Sequence, residues 1–150
     1  MPEPKLFFDS SALFAGVFSP SGAARALLLM AETSLISIVI SEQVIAETEY
    51  ALARKAPQAL IYFREAVRLT NILIVRDPSR QDLAAYQDII RDPTDVPIVV
   101  AAMRAEVDFL VTLNRRHFID DPQVAARSGL RIGTAGDALA WVRDMLNKPT

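Results

Sequence analysis

The sequence predicts an α/β fold, with a central, mostly parallel sheet of about five strands covered by helices. Three observations predict it. Short apolar runs alternate along the chain with segments of helical length and composition. The runs are apolar at successive positions instead of every second one, as strands buried on both faces must be. The 150 residues are 51% hydrophobic and 23% charged, enough apolar material for one domain to bury a core without disulfide or metal staples.

Taken in order, Lys5 to Phe8 is the first apolar run, and it ends at Asp9 where a helix begins. Ala23 to Glu32 reads as a helix, and Ser34 to Ile40 (SLISIVI), rich in β-branched residues, as a buried strand. Helices are expected over Glu42 to Ala56 and Pro57 to Leu69, then a strand over Asn71 to Val75 (NILIV). Gln81 to Arg91 and Ile98 to Glu106 read as helices, Phe109 to Leu113 (FLVTL) as a strand, Leu130 to Ile132 as a short fifth strand and Gly136 to Asn147 as the last helix. Pro20, Pro57, Pro78 and Pro93 fall at element edges, and no repeat or linker divides the chain, so residues 1–150 read as a single domain with a loose tail over 147–150.

Composition removes several function classes. Without cysteine there is no disulfide framework, thiolate zinc site, iron-sulfur cluster or cysteine nucleophile, and any metal must be held by oxygen ligands or by His117. The start, Met1-Pro2-Glu3-Pro4-Lys5, lacks a signal-peptide pattern, and no run approaches a membrane span, so a cytoplasmic protein is expected. A net charge of -2 argues against gripping nucleic acid by bulk positive charge, which leaves bound cations to mediate such a contact.

Ligands of open α/β sheets bind beyond the carboxyl ends of the strands, so acids there carry most weight. Asp9 is the first, with helix capping by Asp9, Ser10 or Ser11 as the competing role. In the helix after Ser41, Val44, Ile45, Thr48 and Leu52 form the apolar stripe, and Glu47 and Glu49 border its two edges; position does not choose between them. Asp92-Pro93-Thr94-Asp95 precedes an almost wholly apolar helix, so Asp95 lies near a buried helix entry where the dipole tolerates a carboxylate, although Thr94 or Asp95 also suits a capping role. Thr112-Leu113-Asn114 ends another strand and leads into Arg115, Arg116 and His117. Convergence of Asp9, Glu47, Asp95 and Asn114 would form an oxygen-rich pocket suited to Mg²⁺ or Mn²⁺, because carboxylates crowd together only when a cation neutralises them.

Four blocks, in order, resemble the PIN domain, the fold of many small ribonucleases including the toxins of VapBC toxin-antitoxin pairs. They are Phe7-Phe8-Asp9-Ser10-Ser11, Ser41-Glu42-Gln43-Val44-Ile45-Ala46-Glu47, Asp92-Pro93-Thr94-Asp95 and Asp108-Phe109-Leu110-Val111-Thr112-Leu113-Asn114, spread over nearly the whole chain. The resemblance implies a three-layer sandwich and a ribonuclease dependent on Mg²⁺ or Mn²⁺. It makes Asp9, Glu47 and Asp95 the metal-binding acids, choosing Glu47 over Glu49, with Asp92 as a further metal ligand. Many family members carry an aspartate where this chain has Asn114, which offers a carbonyl oxygen but no charge. Asp120 and Asp121, a few residues on, are expected in a solvated loop.

The mechanism implied is phosphodiester hydrolysis with Asp9, Glu47, Asp95 and Asn114 as the catalytic set. Ser10, Ser11, Thr112, Arg115 and Arg116 would meet water or phosphate, their competing roles being backbone capping and a solvated loop. His117, a lone histidine, is assigned no catalytic role. Implied partners are RNA, a cognate antitoxin and a second copy of the chain, with no membrane; Ala23 to Met30 and Ile61 to Phe63 are apolar enough for contact. Two rivals compete. An aspartate after the first strand also occurs in haloacid-dehalogenase phosphatases and phospho-receiver domains, but the former want a second aspartate where Ser11 stands, and the latter an acidic pair before the first strand and a later lysine. The other is a catalytically weakened PIN-like module that binds RNA or a partner, for which Asn114 speaks.

Overall fold

The structure is a computed structural model describing residues 3–148. Its strands are β1 (Lys5–Phe8), β2 (Ser37–Ser41), β3 (Leu73–Val75), β4 (Phe109–Val111) and β5 (Ile132–Gly133). They form one sheet of order β3-β2-β1-β4-β5, every neighbouring pair parallel. Leu6, Phe7 and Phe8 are all 0% exposed. Since successive strand side chains point to opposite faces, both faces of the sheet centre are covered.

The covering helices are α1 (Ser10–Phe18), α2 (Ala23–Glu32), α3 (Glu42–Lys55), α4 (Leu60–Leu69), α5 (Arg80–Ala85), α6 (Val96–Arg104), α7 (Pro122–Ser128) and α8 (Ala135–Asn147). α1 packs on α2 and α3, α2 also on α8, and α8 on β4 and β5, while α6 lies against β2, α5 and α7. Among α6 residues, Val96 and Ile98 to Ala102 are all buried, as its unbroken apolar sequence requires. Asn147 ends α8 and Lys148 follows it as the cap; residues 149 and 150 of the expected tail lie outside the described residues. No single described helix is long and apolar enough to cross a membrane.

Several boundaries differ from the sequence reading for identifiable reasons. The strand expected from Ser34 starts at Ser37, because Ser34 (φ 61°) closes α2. Its N–H donates to Ala31 O and that of Leu35 to Met30 O, a left-handed helix stop built on serine instead of glycine. The strand over Asn71 to Val75 shrinks to β3, and Leu73 (53% exposed) and Ile74 (45%) are not buried, since β3 is an edge of the sheet. The helix over Gln81 to Arg91 ends at Ala85, and the chain proceeds in turns that bury both Ile89 and Ile90, consecutive residues that a helix would aim about 100° apart. The segment with Asp120 and Asp121 is not simply loop, for Asp121 accepts a hydrogen bond from Gln123 N–H and caps α7.

Candidate metal centre

Strand order places the site. From central β1 the chain steps outward to β2 and β3, then crosses back to lay β4 on the other side of β1. The gap beyond the carboxyl ends of β1 and β4 is therefore a topological switch point, where open α/β sheets form their crevice.

Asp9 and Thr112 stand side by side there. Phe8 is in register with Val111, and Asp9 N–H donates to Val111 O at 3.1 Å, so the residues that follow these two strands meet. Thr112 Oγ1 donates to Asp9 Oδ2, while Asp9 Oδ1 accepts from Ser11 Oγ (2.6 Å) and Ala12 N–H (2.9 Å). Asp9 thus caps α1 and still lies at the switch point, so the two roles weighed for it are compatible. Burial pushes its pKa up, the three hydrogen bonds pull against that, and the Asp95 charge pushes it further up. Ser11 Oγ also accepts from Leu113 N–H (3.0 Å) and Thr112 Oγ1 from Asn114 N–H (3.0 Å). Each hydroxyl spends its single proton on Asp9, so both act by holding that carboxylate still.

Asp95 arrives from the loop before α6. It occupies the cap position, yet its side chain makes no capping bond. Instead Asp95 Oδ2 lies 2.8 Å from His117 Nδ1, with Asp92 Oδ2 at 3.7 Å from the same nitrogen. With Asp95 ionised, Nδ1 carries the proton and donates it. Burial raises the Asp95 pKa, the hydrogen bond from His117 opposes the rise, and the Asp92 and Glu47 charges add to it. Asp92 goes the other way, held below the usual carboxylate range by Thr94 N–H and Oγ1, which both donate to its Oδ1. One donor atom from each of Asp92, Asp95 and His117 falls within 4.8 Å of the others.

His117 reaches this position because Arg115–Ile119 forms a π-helical turn, pinned by buried Phe118 and capped by Asn114, whose Oδ1 accepts His117 N–H at 3.1 Å. The Asn114 amide nitrogen faces Nδ1 at 3.1 Å. Sequence reasoning admitted His117 as the one non-oxygen residue able to hold a metal but assigned it no catalytic role. The available signal was its position three residues after Asn114, but only the fold brings Nδ1 onto Asp95, 22 residues earlier in the chain.

Glu47 is exposed on α3 and close enough to raise the Asp95 pKa, whereas Glu49 pairs with Arg64 at 3.7 Å. Glu47, Ser10, Ser11, Phe14, Lys55 and Leu113 line a groove of about 400 Å³. The two arginines diverge. Arg115 draws toward Asp137 at the start of α8, lowering that carboxyl's pKa beneath the larger effect of Thr134, while Arg116 joins Arg91 and Arg127 along an open cleft of about 1040 Å³. That cleft, the larger of the two, contains none of Asp9, Glu47 or Asp95 in its lining.

A divalent cation suits this arrangement. The carboxyls of Asp9 and Asp95 are raised by burial and by neighbouring negative charge, Asp95 on Asp9 and Asp92 and Glu47 on Asp95, the strain that a cation among them relieves. The donors are hard oxygens plus one imidazole, and no thiolate exists in the chain.

Comparison with known proteins gives a consistent picture. The family model described as PIN domain matches residues 5–116. Among solved structures, VapBC2 from Rickettsia felis bound to a DNA fragment from their promoter is similar at a TM-score of 0.62 and 18% identity, over 87% of this chain and 98% of that one. PAE2754 from Pyrobaculum aerophilum is similar at a TM-score of 0.57 and 18% identity, over 96% and 98%. No curated protein matches the sequence.

Proposed function

Because the chain belongs to the PIN domain family, we propose that it is a metal-dependent endoribonuclease in which Asp9, Asp95 and Glu47, with Asp92, hold Mg²⁺ or Mn²⁺ at the end of the sheet. One observation carries the reading: at the switch point Asp95 feels the charges of Asp92 and Glu47 and is itself felt by buried Asp9, so acids from distant segments sit within electrostatic reach of Asp95 although folding alone gains nothing from it.

The cation supplies the charge that activates water and steadies the leaving oxygen. The chain's own groups do the positioning. Ser11, Thr112 and the α1 amide lock Asp9, and His117 holds Asp95 until a cation arrives. Ser10, which lines the smaller groove with Glu47, would meet phosphate there, and exposed Arg116 would meet flanking phosphates from the larger cleft. Arg115 is drawn to Asp137 instead. Asn114 caps the turn that carries His117 and contributes no charge.

The same reading makes the chain the toxin of a toxin-antitoxin pair, acting in the cytoplasm, with an antitoxin and a second copy of itself as partners. Large apolar side chains left exposed, such as Leu29 (50%) and Ile61 (70%), support protein contacts.

The test incubates purified protein with single-stranded and structured RNA, with and without Mn²⁺, beside Asp9→Asn. Cleavage that needs Mn²⁺ and disappears in the variant is the expected result. Equal cleavage by both proteins removes the proposed site. RNA retention without cleavage in Mn²⁺ selects instead the binding-module reading that Asn114 favours.

A further inference from the structure

We infer that His117 is a nitrogen ligand, together with Asp92 and Asp95, for the cation bound at this site, and that it biases the site toward transition-metal ions over Mg²⁺. The inference rests on the metal-centre reading above and adds to it the one side chain that is not an acid.

Geometry supports a ligand. Around an ion about 2.1 Å from nitrogen and oxygen donors, neighbouring donors lie about 3 Å apart and opposite donors about 4.2 Å. His117 Nδ1 is 2.8 Å from Asp95 Oδ2 and 3.7 Å from Asp92 Oδ2, and one atom from each of the three residues lies within 4.8 Å of the others. With Nδ1 and Oδ2 already in contact, an ion takes the place of the Nδ1–H···Oδ2 hydrogen bond once the ring and the carboxylate turn to aim both lone pairs at it. The proton balance is simple. The Nδ1 proton relocates through solvent to Nε2, leaving a neutral ring whose Nδ1 lone pair faces the carboxylates.

Preorganisation also points this way. Asn114 Oδ1 holds the His117 amide, buried Phe118 anchors the turn, and the ring is fixed at a π-helical turn, an uncommon backbone form that concentrates at functional sites. The side chain is 35% exposed, open to an entering ion. A histidine serving only the core would be buried against apolar neighbours, and this one faces two carboxylates.

The donor set then decides the ion. Imidazole suits zinc, cobalt and their neighbours, whereas Mg²⁺ prefers oxygen and gives up its water reluctantly. Asn114 enlarges this effect, because an amide adds no charge to favour hard ions.

A merely positioning histidine, donating to Asp95 beside an all-oxygen site, is the rival role, and one substitution separates the two. In His117→Asn the amide nitrogen takes the place of Nδ1–H and still donates to Asp95, but the imidazole lone pair is gone. Calorimetric titration of wild type and His117→Asn with Zn²⁺, Co²⁺ and Mg²⁺ is expected to show Zn²⁺ and Co²⁺ affinity falling more than about 100-fold, beyond the loss typical of a hydrogen-bond partner behind a ligand, and Mg²⁺ affinity changing by less than about threefold. Because His117 is the chain's sole histidine, its ring nitrogens give unambiguous NMR signals. Saturating Zn²⁺ should move the proton from Nδ1 to Nε2 in the wild type, with Mg²⁺ leaving the ring signals near their metal-free positions. Parallel losses for all three ions, no loss for any, or an Nδ1 still protonated in saturating Zn²⁺ each overturn the inference. A wild type that binds none of the ions overturns the metal-centre reading as well, whereas loss of the His117 effect with Mn²⁺-dependent RNA cleavage intact overturns this inference alone.

Discussion

Asp9 both caps a helix and faces the acidic centre, and two substitutions at this residue separate those duties. Asn and Ala each remove the same buried negative charge, so the difference between them isolates the hydrogen bonds. Asn retains an oxygen for Ala12 N–H and Ser11 Oγ, and presents an amide to Thr112 Oγ1. Ala retains none of these partners. The lost cap is worth about 1 kcal/mol, whereas the proton of the Thr112 hydroxyl, 0% exposed, loses its carboxylate acceptor in both variants, so that cost cancels in the difference. Ser11, only half-buried, recovers its loss from water. Asp9→Ala is therefore expected to be about 1 kcal/mol less stable than Asp9→Asn, a gap of about 2–4 °C in Tm for a chain of this length. Thermal unfolding in EDTA measures that gap, and repeating it with Mn²⁺ reads the ligand role, because an ion that binds only the folded chain at 100 times its Kd adds about 2.7 kcal/mol. Neither variant should show that increment. Equal stabilities in EDTA refute the hydrogen-bond accounting, and a full Mn²⁺ increment in Asp9→Asn refutes Asp9 as a ligand.

Two other outcomes follow from the same electrostatics. Asp9 and Asp95 keep their protons to higher pH when folded than the ordinary value of 3.8, so between that value and the raised ones the folded chain binds more protons than the unfolded. Metal-free stability must then fall as pH rises through that window, while Asp82, Asp92 and Asp137, all lowered, contribute stability above 3.8 that disappears as pH drops toward their folded values. Urea unfolding in EDTA from about pH 3 to about pH 8 should show the fall above pH 4 becoming shallower in Asp9→Asn, and an unchanged profile contradicts the assignment. Asn114→Asp keeps the oxygen that caps His117 while adding a charge near Asp95, so Mn²⁺ affinity should rise about tenfold, or 1.4 kcal/mol, with lower metal-free stability. An unaltered titration means that the residue 114 side chain does not face the ion.

Elements whose identity depends on local pattern were legible in the sequence, and those decided by tertiary packing were not. Lys5–Phe8 and Ala23–Glu32 read true to the residue because an all-apolar run and an amphipathic stripe each report their own burial. β3 has the same apolar character as the central strands, yet nothing local says that it lies at the edge of the sheet, and Leu73 and Ile74 remain half exposed. Likewise the segment from Tyr86 to Arg91 has helical composition, but burying Ile89 and Ile90 together outweighs the helix it would otherwise extend.

The site divides on the same line. Asp9, Asp95 and Asn114 could be found because each terminates or introduces an element, and the ends of parallel strands must converge on one edge of the sheet. Glu47 was separable from Glu49 only by resemblance, and the folded chain gives the physical distinction in Glu49's pairing with Arg64 and Glu47's electrostatic reach to Asp95. His117 was invisible for a stronger reason. Sequence spacing gives its ring no fixed relation to Asp95, a residue 22 positions earlier, and it acquires one only in the fold, where the Asn114 cap and buried Phe118 hold the turn against the loop before α6. A pattern built on 3.6 residues per turn reports neighbours within one element and not a contact between a strand-end turn and a helix-entry loop, so the side chain that meets Asp95 read as one more polar residue in a loop.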